Sequence, residues 1–152
     1  MFSALSLTGC DNDPGGGGTP NPNPNPTPVA KSLRVTFDQD VYTSANIDNT
    51  VFTLGIFTAG KTFADNTTVQ SAKSQSIAYC DSSKPFALPV NYTLTLPLYT
   101  QTDQLWTGSG TYDIYAVIGD ATILSNAQIY RKLNVPITNA TTNISVASSD
   151  RY

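Results

Sequence analysis

From Val29 onward, apolar and polar positions alternate along most of the chain, the period of strands that bury one face. Leu33, Val35 and Phe37 interleave with Arg34, Thr36 and Asp38 and predict a first strand. Phe52, Leu54 and Ile56 interleave with Val51, Thr53, Gly55 and Phe57 and predict a second. The longest alternation, 87–99, puts Leu88, Val90, Tyr92, Leu94, Leu96 and Leu98 on one face. Ala87, Pro89, Asn91, Thr93, Thr95, Pro97 and Tyr99 take the other. Each buried apolar side chain there is worth about 1.5–3 kcal/mol, so one continuous strand at the centre of the core is expected. Its prolines require a sheet edge or a bulge.

Residues 111–118 carry Tyr112, Ile114, Ala116 and Ile118 in phase, and Gly119-Asp120 then reads as a turn. Residues 127–137 place Ile129, Leu133, Val135 and Ile137 in register, interrupted by Arg131. Ile144 and Val146 mark a last strand over 142–147, while 67–72 and 75–80 are weaker candidates anchored by Val69, Ile77 and Tyr79. Only 120–126 has room for a helical turn. The expectation is an all-β fold: an antiparallel β-sandwich of about seven to eight strands over 31–148, immunoglobulin- or transthyretin-like, with 149–152 as a tail.

Composition strengthens this. Only 12% of residues are charged, against about 25% for an average soluble domain. All 11 acidic residues are Asp, and none is the helix-favouring Glu. The net charge is −3, with no basic run, so nucleic acid is not an expected partner.

The N-terminal segment has a different character. Leu7-Thr8-Gly9-Cys10 resembles a bacterial lipobox, preceded by the short apolar run Phe2-Ser3-Ala4-Leu5-Ser6-Leu7. That resemblance implies a signal remnant over 1–9, lipidation of Cys10 and a membrane partner held through the lipid anchor. It departs from the pattern in lacking a Lys or Arg before Cys10. Gly15 to Gly18 then form a flexible run, and Pro20, Pro22, Pro24, Pro26 and Pro28 alternate with Asn or Thr. Glycine makes a swivel and alternating proline an extended spacer spanning ~30 Å, so 10–30 reads as a lipidated cysteine and tether.

Catalytic parts are scarce. The chain has no histidine, which removes the commonest general base and zinc ligand. Walker-type, Gly-x-Ser-x-Gly and Ser-x-x-Lys patterns are missing too. Asp38, Asp40 and Asp48 are conceivable oxygen ligands for calcium, but they match no EF-hand spacing, and turn chemistry accounts for them. Cys80 reads as a buried structural thiol. No enzymatic activity, cofactor or metal is expected.

The most distinctive stretch is Leu105-Trp106-Thr107-Gly108-Ser109-Gly110-Thr111-Tyr112-Asp113-Ile114-Tyr115. Trp106, Tyr112 and Tyr115 are candidates for an exposed aromatic platform for sugars or peptides. The competing reading, and the favoured one, has Trp106 plugging the end of the sandwich while the glycines permit a tight turn. The stretch is similar to a Trp-Thr-Gly-Ser-Gly-x-Tyr pattern of small spirochaete, particularly treponeme, lipoproteins, which implies an envelope location and no particular activity.

The expected function is therefore a non-enzymatic binding or interaction module on a lipid anchor, facing an extracellular protein or glycan. Two alternatives stand beside it: a carbohydrate-binding module, and a structural subunit that self-associates by strand pairing, since weakly charged edges invite pairing.

Overall fold

The structure, a computed structural model, describes residues 25–152 apart from residue 86 and the side chains of 49, 87 and 88. Cys10, the lipobox-like segment and most of the expected tether lie outside the described residues. Two four-stranded sheets pack together, and the α-helices are short. One sheet has the order β4-β5-β1-β8, built from β1 (Ser32–Phe37), β4 (Ala87–Val90), β5 (Thr93–Pro97) and β8 (Thr141–Val146). The other runs β3-β2-β6-β7, from β2 (Phe52–Thr58), β3 (Ala78–Asp81), β6 (Gly110–Ile118) and β7 (Gln128–Ile137). No helix among the described residues is long and apolar enough to cross a membrane.

The sandwich is not purely antiparallel, which corrects the expectation of antiparallel sheets. β1 pairs antiparallel with β5 but parallel with β8, from Ser32 opposite Thr141 to Phe37 opposite Val146. Parallel neighbours need a long crossover. Here nearly the whole domain lies between the two strands, and side-chain alternation carries no information about strand direction.

The 87–99 run is a hairpin and not one strand. Asn91 and Tyr92 both have positive φ, 50° and 61°, the backbone of a two-residue reversal that follows strand twist. Leu94, Leu96 and Leu98 enter the core, whereas Val90 and Tyr92 are exposed. Pro89 falls in β4, an edge strand whose register shifts between Ala87 and Val90, where a missing N–H is tolerated.

β7 also differs from its expected phase. Ile114 sits opposite Lys132 but Tyr112 opposite Val135, so Leu133 and Asn134 together face Asp113. This bulge reverses the parity of the strand. Ile129 therefore packs on the outer face of its sheet and Ile137 inside the sandwich, while Leu133 is half exposed.

Residues 67–72, expected as a weak strand, instead lead into helix α2 (Val69–Ser74), following α1 (Gln39–Ser44). The Thr68 side chain accepts the N–H of Ser71 at 3.0 Å, a side-chain N-cap that starts a helix whatever the local apolar phase. Within 75–80 only the end is extended, from Ala78.

Leu33, Val35, Phe37, Leu54, Ile56, Leu96, Leu98, Ile114, Ile137 and Ile144 meet between the sheets. A second, smaller cluster covers the outer face of the β3-β2-β6-β7 sheet. That second layer positions the site described next.

Candidate functional site

The residues singled out by sequence fall in two places. Trp106 is buried and meets Tyr112 edge-on, ring centroids 5.5 Å apart. Its backbone joins two segments: Trp106 N–H donates to the Leu98 carbonyl at 2.8 Å, and Lys31 N–H to the Trp106 carbonyl at 2.8 Å. A Cβ on Gly108 would stand 2.5 Å from the indole, and one on Gly110 2.7 Å from the Tyr112 hydroxyl. Both glycines are thus roofed by rings, and Gly110 also has φ +154°. The Tyr112 hydroxyl donates back to the Ser109 carbonyl at 2.9 Å. Trp106 and Tyr112 are brought together against the main core.

Tyr115 is elsewhere. It belongs to the outer layer, with Phe57, Ala72, Val117, Leu124 and Ile129. Strands β2 and β6 are apolar on both parities, and helix α2 with the turn at Leu124–Asn126 supplies the cover. Tyr115 meets Phe57, Phe63 and Tyr152 with centroids 5.5, 5.3 and 5.6 Å away, each edge-on. Edge-to-face geometry at these distances is the favourable one for aromatic rings. The Tyr115 hydroxyl donates to the Lys61 carbonyl at 2.7 Å, pinning the loop after β2.

Two cations stand beside this aromatic cluster. The Arg131 guanidinium lies 4.5 Å from the Tyr152 ring centroid, and the Lys61 ammonium 5.3 Å from that of Phe63. Lys61 Nζ also donates to Gln75 Oε1 at 2.7 Å. Among the described residues the ion pairs are Lys73–Asp81, Lys84–Asp103 and Lys132–Asp150, so neither Lys61 nor Arg131 is neutralised by a carboxylate. A cleft of about 430 Å³ is lined by Gly60, Lys61, Asp113, Arg131 and Asn134. A smaller one of about 160 Å³ is lined by Phe63, Asp65, Ile129 and Tyr152. The stacked Arg131 and Tyr152 thus border one cleft each.

Asp113 shapes the larger cleft. It is fully buried, and its two oxygens accept Gly60 N–H at 2.7 Å and Asn134 N–H at 2.9 Å. One carboxylate therefore holds both walls. Asn134 has φ 53°, an unusual backbone for a non-glycine residue that the second of these bonds supports.

The other candidate residues sit at α1, in the turn after it and in β3. Asp38 is the N-cap of α1 without a side-chain cap bond, Asp40 lies in its first turn, and Asp48 accepts from the Tyr42 hydroxyl. The described residues hold no group of three His, Cys, Asp or Glu side chains placed to bind a metal. Cys80 is buried, and burial first, then the Asp81 carboxylate, pushes its thiol up to about 12. Such a thiol is a poor nucleophile at neutral pH. A second cation–aromatic cluster gathers Lys73 and Lys84 on Tyr79, with Lys84 also over Tyr99. There each lysine is answered by Asp81 or Asp103, and the Lys84 contact first, then Tyr79, holds the Asp103 carboxyl below its usual range.

Sequence reasoning singled out Tyr115 but not its partners Phe57, Phe63, Tyr152 and Lys61, nor Arg131 and Asp113 of the adjoining cleft. The available signal was the doubled apolar parity of 114–118, where Tyr115 and Val117 fill the positions between Ile114, Ala116 and Ile118. Strands apolar on both faces belong to a sheet covered on both sides. No family model, no curated protein and no solved structure matches this chain.

Proposed function

We propose that the chain is a lipid-anchored, non-enzymatic binding module of the bacterial cell envelope. The aromatic and cationic groove on the outer face of the β3-β2-β6-β7 sheet is its binding surface, and a carboxylated glycan its ligand. The observation that carries the binding surface is the Arg131–Tyr152 stack beside Lys61 and Phe63: two cations that pair with no carboxylate among the described residues, each against an aromatic ring, at the rim of two clefts. Aromatic faces take the apolar face of a sugar ring, and a guanidinium takes a carboxylate in bidentate fashion. Both are pre-positioned here, which lowers the entropy lost on binding. The anchor rests on the likeness of Leu7-Thr8-Gly9-Cys10 to a lipobox, followed by a glycine swivel and proline spacer. The finer likeness to immunoglobulin or transthyretin sandwiches is part of the same proposal, supported by two four-stranded sheets packed face to face.

Binding is tested by presenting the full chain to an array of neutral and uronic-acid-bearing glycans. Retention on the acidic glycans, weakened at least tenfold by Arg131→Gln, is the expected result. Equal binding by the folded variant, or no binding to any acidic glycan, would overturn it. The anchor is tested separately by metabolic labelling with an alkyne fatty acid, which Cys10→Ala should abolish and which persists if Cys10 is not the acceptor.

A further inference from the structure

A sandwich of two open sheets has four edges, and unguarded edges recruit other strands. Three of the four are guarded. β4 has four residues, carries Pro89 and shifts register along its length. β3 has four residues, and Tyr79 exchanges both backbone hydrogen bonds with Tyr99, at 2.9 and 2.8 Å. β7 is interrupted by its bulge at 133–134, carries Pro136, and is crossed near Tyr130 by Arg151, while Tyr152 N–H donates to the Ile129 carbonyl at 2.9 Å.

β8 is different. Its six residues, Thr-Thr-Asn-Ile-Ser-Val, contain no proline and no charge, and they keep one unbroken register with β1. Ser32 N–H donates to the carbonyl of Ala140, just before β8, and Asp38 N–H to that of Val146 at its end, both even-numbered positions. Strand alternation therefore turns the N–H and C=O groups of Thr142, Ile144 and Val146 toward β1. Those of Thr141, Asn143 and Ser145 face away from the sheet. Their side chains are exposed.

We infer that β8 is a homotypic pairing edge, and that two copies of this chain join antiparallel β8 strands about a two-fold axis through Asn143. Asn143 then faces its own copy, and Thr141 faces the partner's Ser145. Every cross-strand pair is neutral, and the outward-facing pairs Asn143–Asn143 and Thr141–Ser145 can hydrogen-bond, so the symmetric arrangement places no like charges together. The two β4-β5-β1-β8 sheets become one eight-stranded sheet. The contact is isologous and closes at two copies, so the product is a dimer and not a filament. This surface lies on the opposite sheet from the glycan groove, and neither proposal depends on the other.

The test is sedimentation equilibrium of the full chain carrying Cys10→Ser, over a wide concentration range. A species of twice the 16.2 kDa chain mass is expected, shifting to monomer in Asn143→Pro. That proline removes an N–H that β1 does not use, so the circular dichroism of the fold should be unchanged. Should Asn143→Pro not fold, Asn143→Lys and Asn143→Asp provide the second arm: each alone is monomeric, and an equimolar mixture dimerises. A chain that stays monomeric to millimolar concentration would overturn the inference. So would a folded Asn143→Pro chain, or Asn143→Lys alone, that dimerises as the parent does. Glycan binding that survives in monomeric Asn143→Pro separates failure here from failure of the groove.

Discussion

Asp113 and Asn134 are joined across the β6–β7 bulge by a carboxylate-to-backbone hydrogen bond of 2.9 Å, and the other oxygen of Asp113 holds Gly60 at 2.7 Å. Two backbone donors on different elements thus depend on one buried side chain. A hydrogen bond to a charged group contributes about 1.5–3 kcal/mol. Asp113→Ala should accordingly lower unfolding stability by on the order of 3 kcal/mol, read by urea denaturation. Asp113→Asn, which keeps one acceptor oxygen, should lose less. Amide exchange at Gly60 and Asn134 should accelerate in both before global stability is lost. An Asp113→Ala chain as stable as the parent would show that the bulge does not need the carboxylate.

Gly108 is roofed by the Trp106 indole, where an added Cβ would stand 2.5 Å away. Overpacking of this kind costs about 1–3 kcal/mol because a ring or the backbone must move. Gly108→Ala should lower stability by that order and red-shift the Trp106 emission as the indole is pushed toward water. Since the chain has one tryptophan, the fluorescence reports this site alone.

Cys80 should resist thiol reagents in the folded chain at pH 8, in a Cys10→Ser background that leaves it the sole thiol. Its labelling rate should follow global unfolding across a urea series. The sign of its pH dependence follows from its raised pKa. Below about pH 9 both folded and unfolded chains keep the proton, and the preference for the neutral thiol is fully present. Above that the unfolded chain releases it first, so stability should fall as pH rises toward about 12. Cys80→Ala should be less stable at pH 7 yet lose less on going from pH 8 to pH 10. Identical slopes in the two chains would assign the alkaline loss to tyrosines instead.

Much of the fold was legible as period-two alternation, and the exceptions share a cause. Leu33, Val35 and Phe37, and again Phe52, Leu54 and Ile56, lie in the strands and on the face that the pattern indicates. The pattern failed where a local backbone event reversed direction or phase without disturbing alternation. Asn91 and Tyr92 turn the chain back inside an apparently continuous strand, and Leu133-Asn134 inserts a residue that moves Ile129 and Ile137 to opposite faces. Neither site carries the glycine that usually marks such a turn or bulge. The parallel pairing of β1 with β8 is a tertiary outcome with no local signature. Of the candidate groove and the aromatic cluster beside it, only Tyr115 was singled out, because Phe63, Arg131 and Tyr152 come from a loop, an edge strand and the tail and meet only in the folded chain.

The central claim is that the groove at Arg131 and Tyr152 is a binding surface for carboxylated sugars. The most direct measurement is a titration of the isotopically labelled chain with a galacturonic acid tetrasaccharide, followed residue by residue by NMR. The neutral galactose tetrasaccharide serves as the control. Saturable shifts confined to Gly60, Lys61, Phe63, Arg131, Asn134 and Tyr152, seen with the acidic sugar and at least tenfold weaker with the neutral one, are the predicted result. Shifts that map to another face, or no saturable shift with the acidic sugar, would contradict the assignment of this surface.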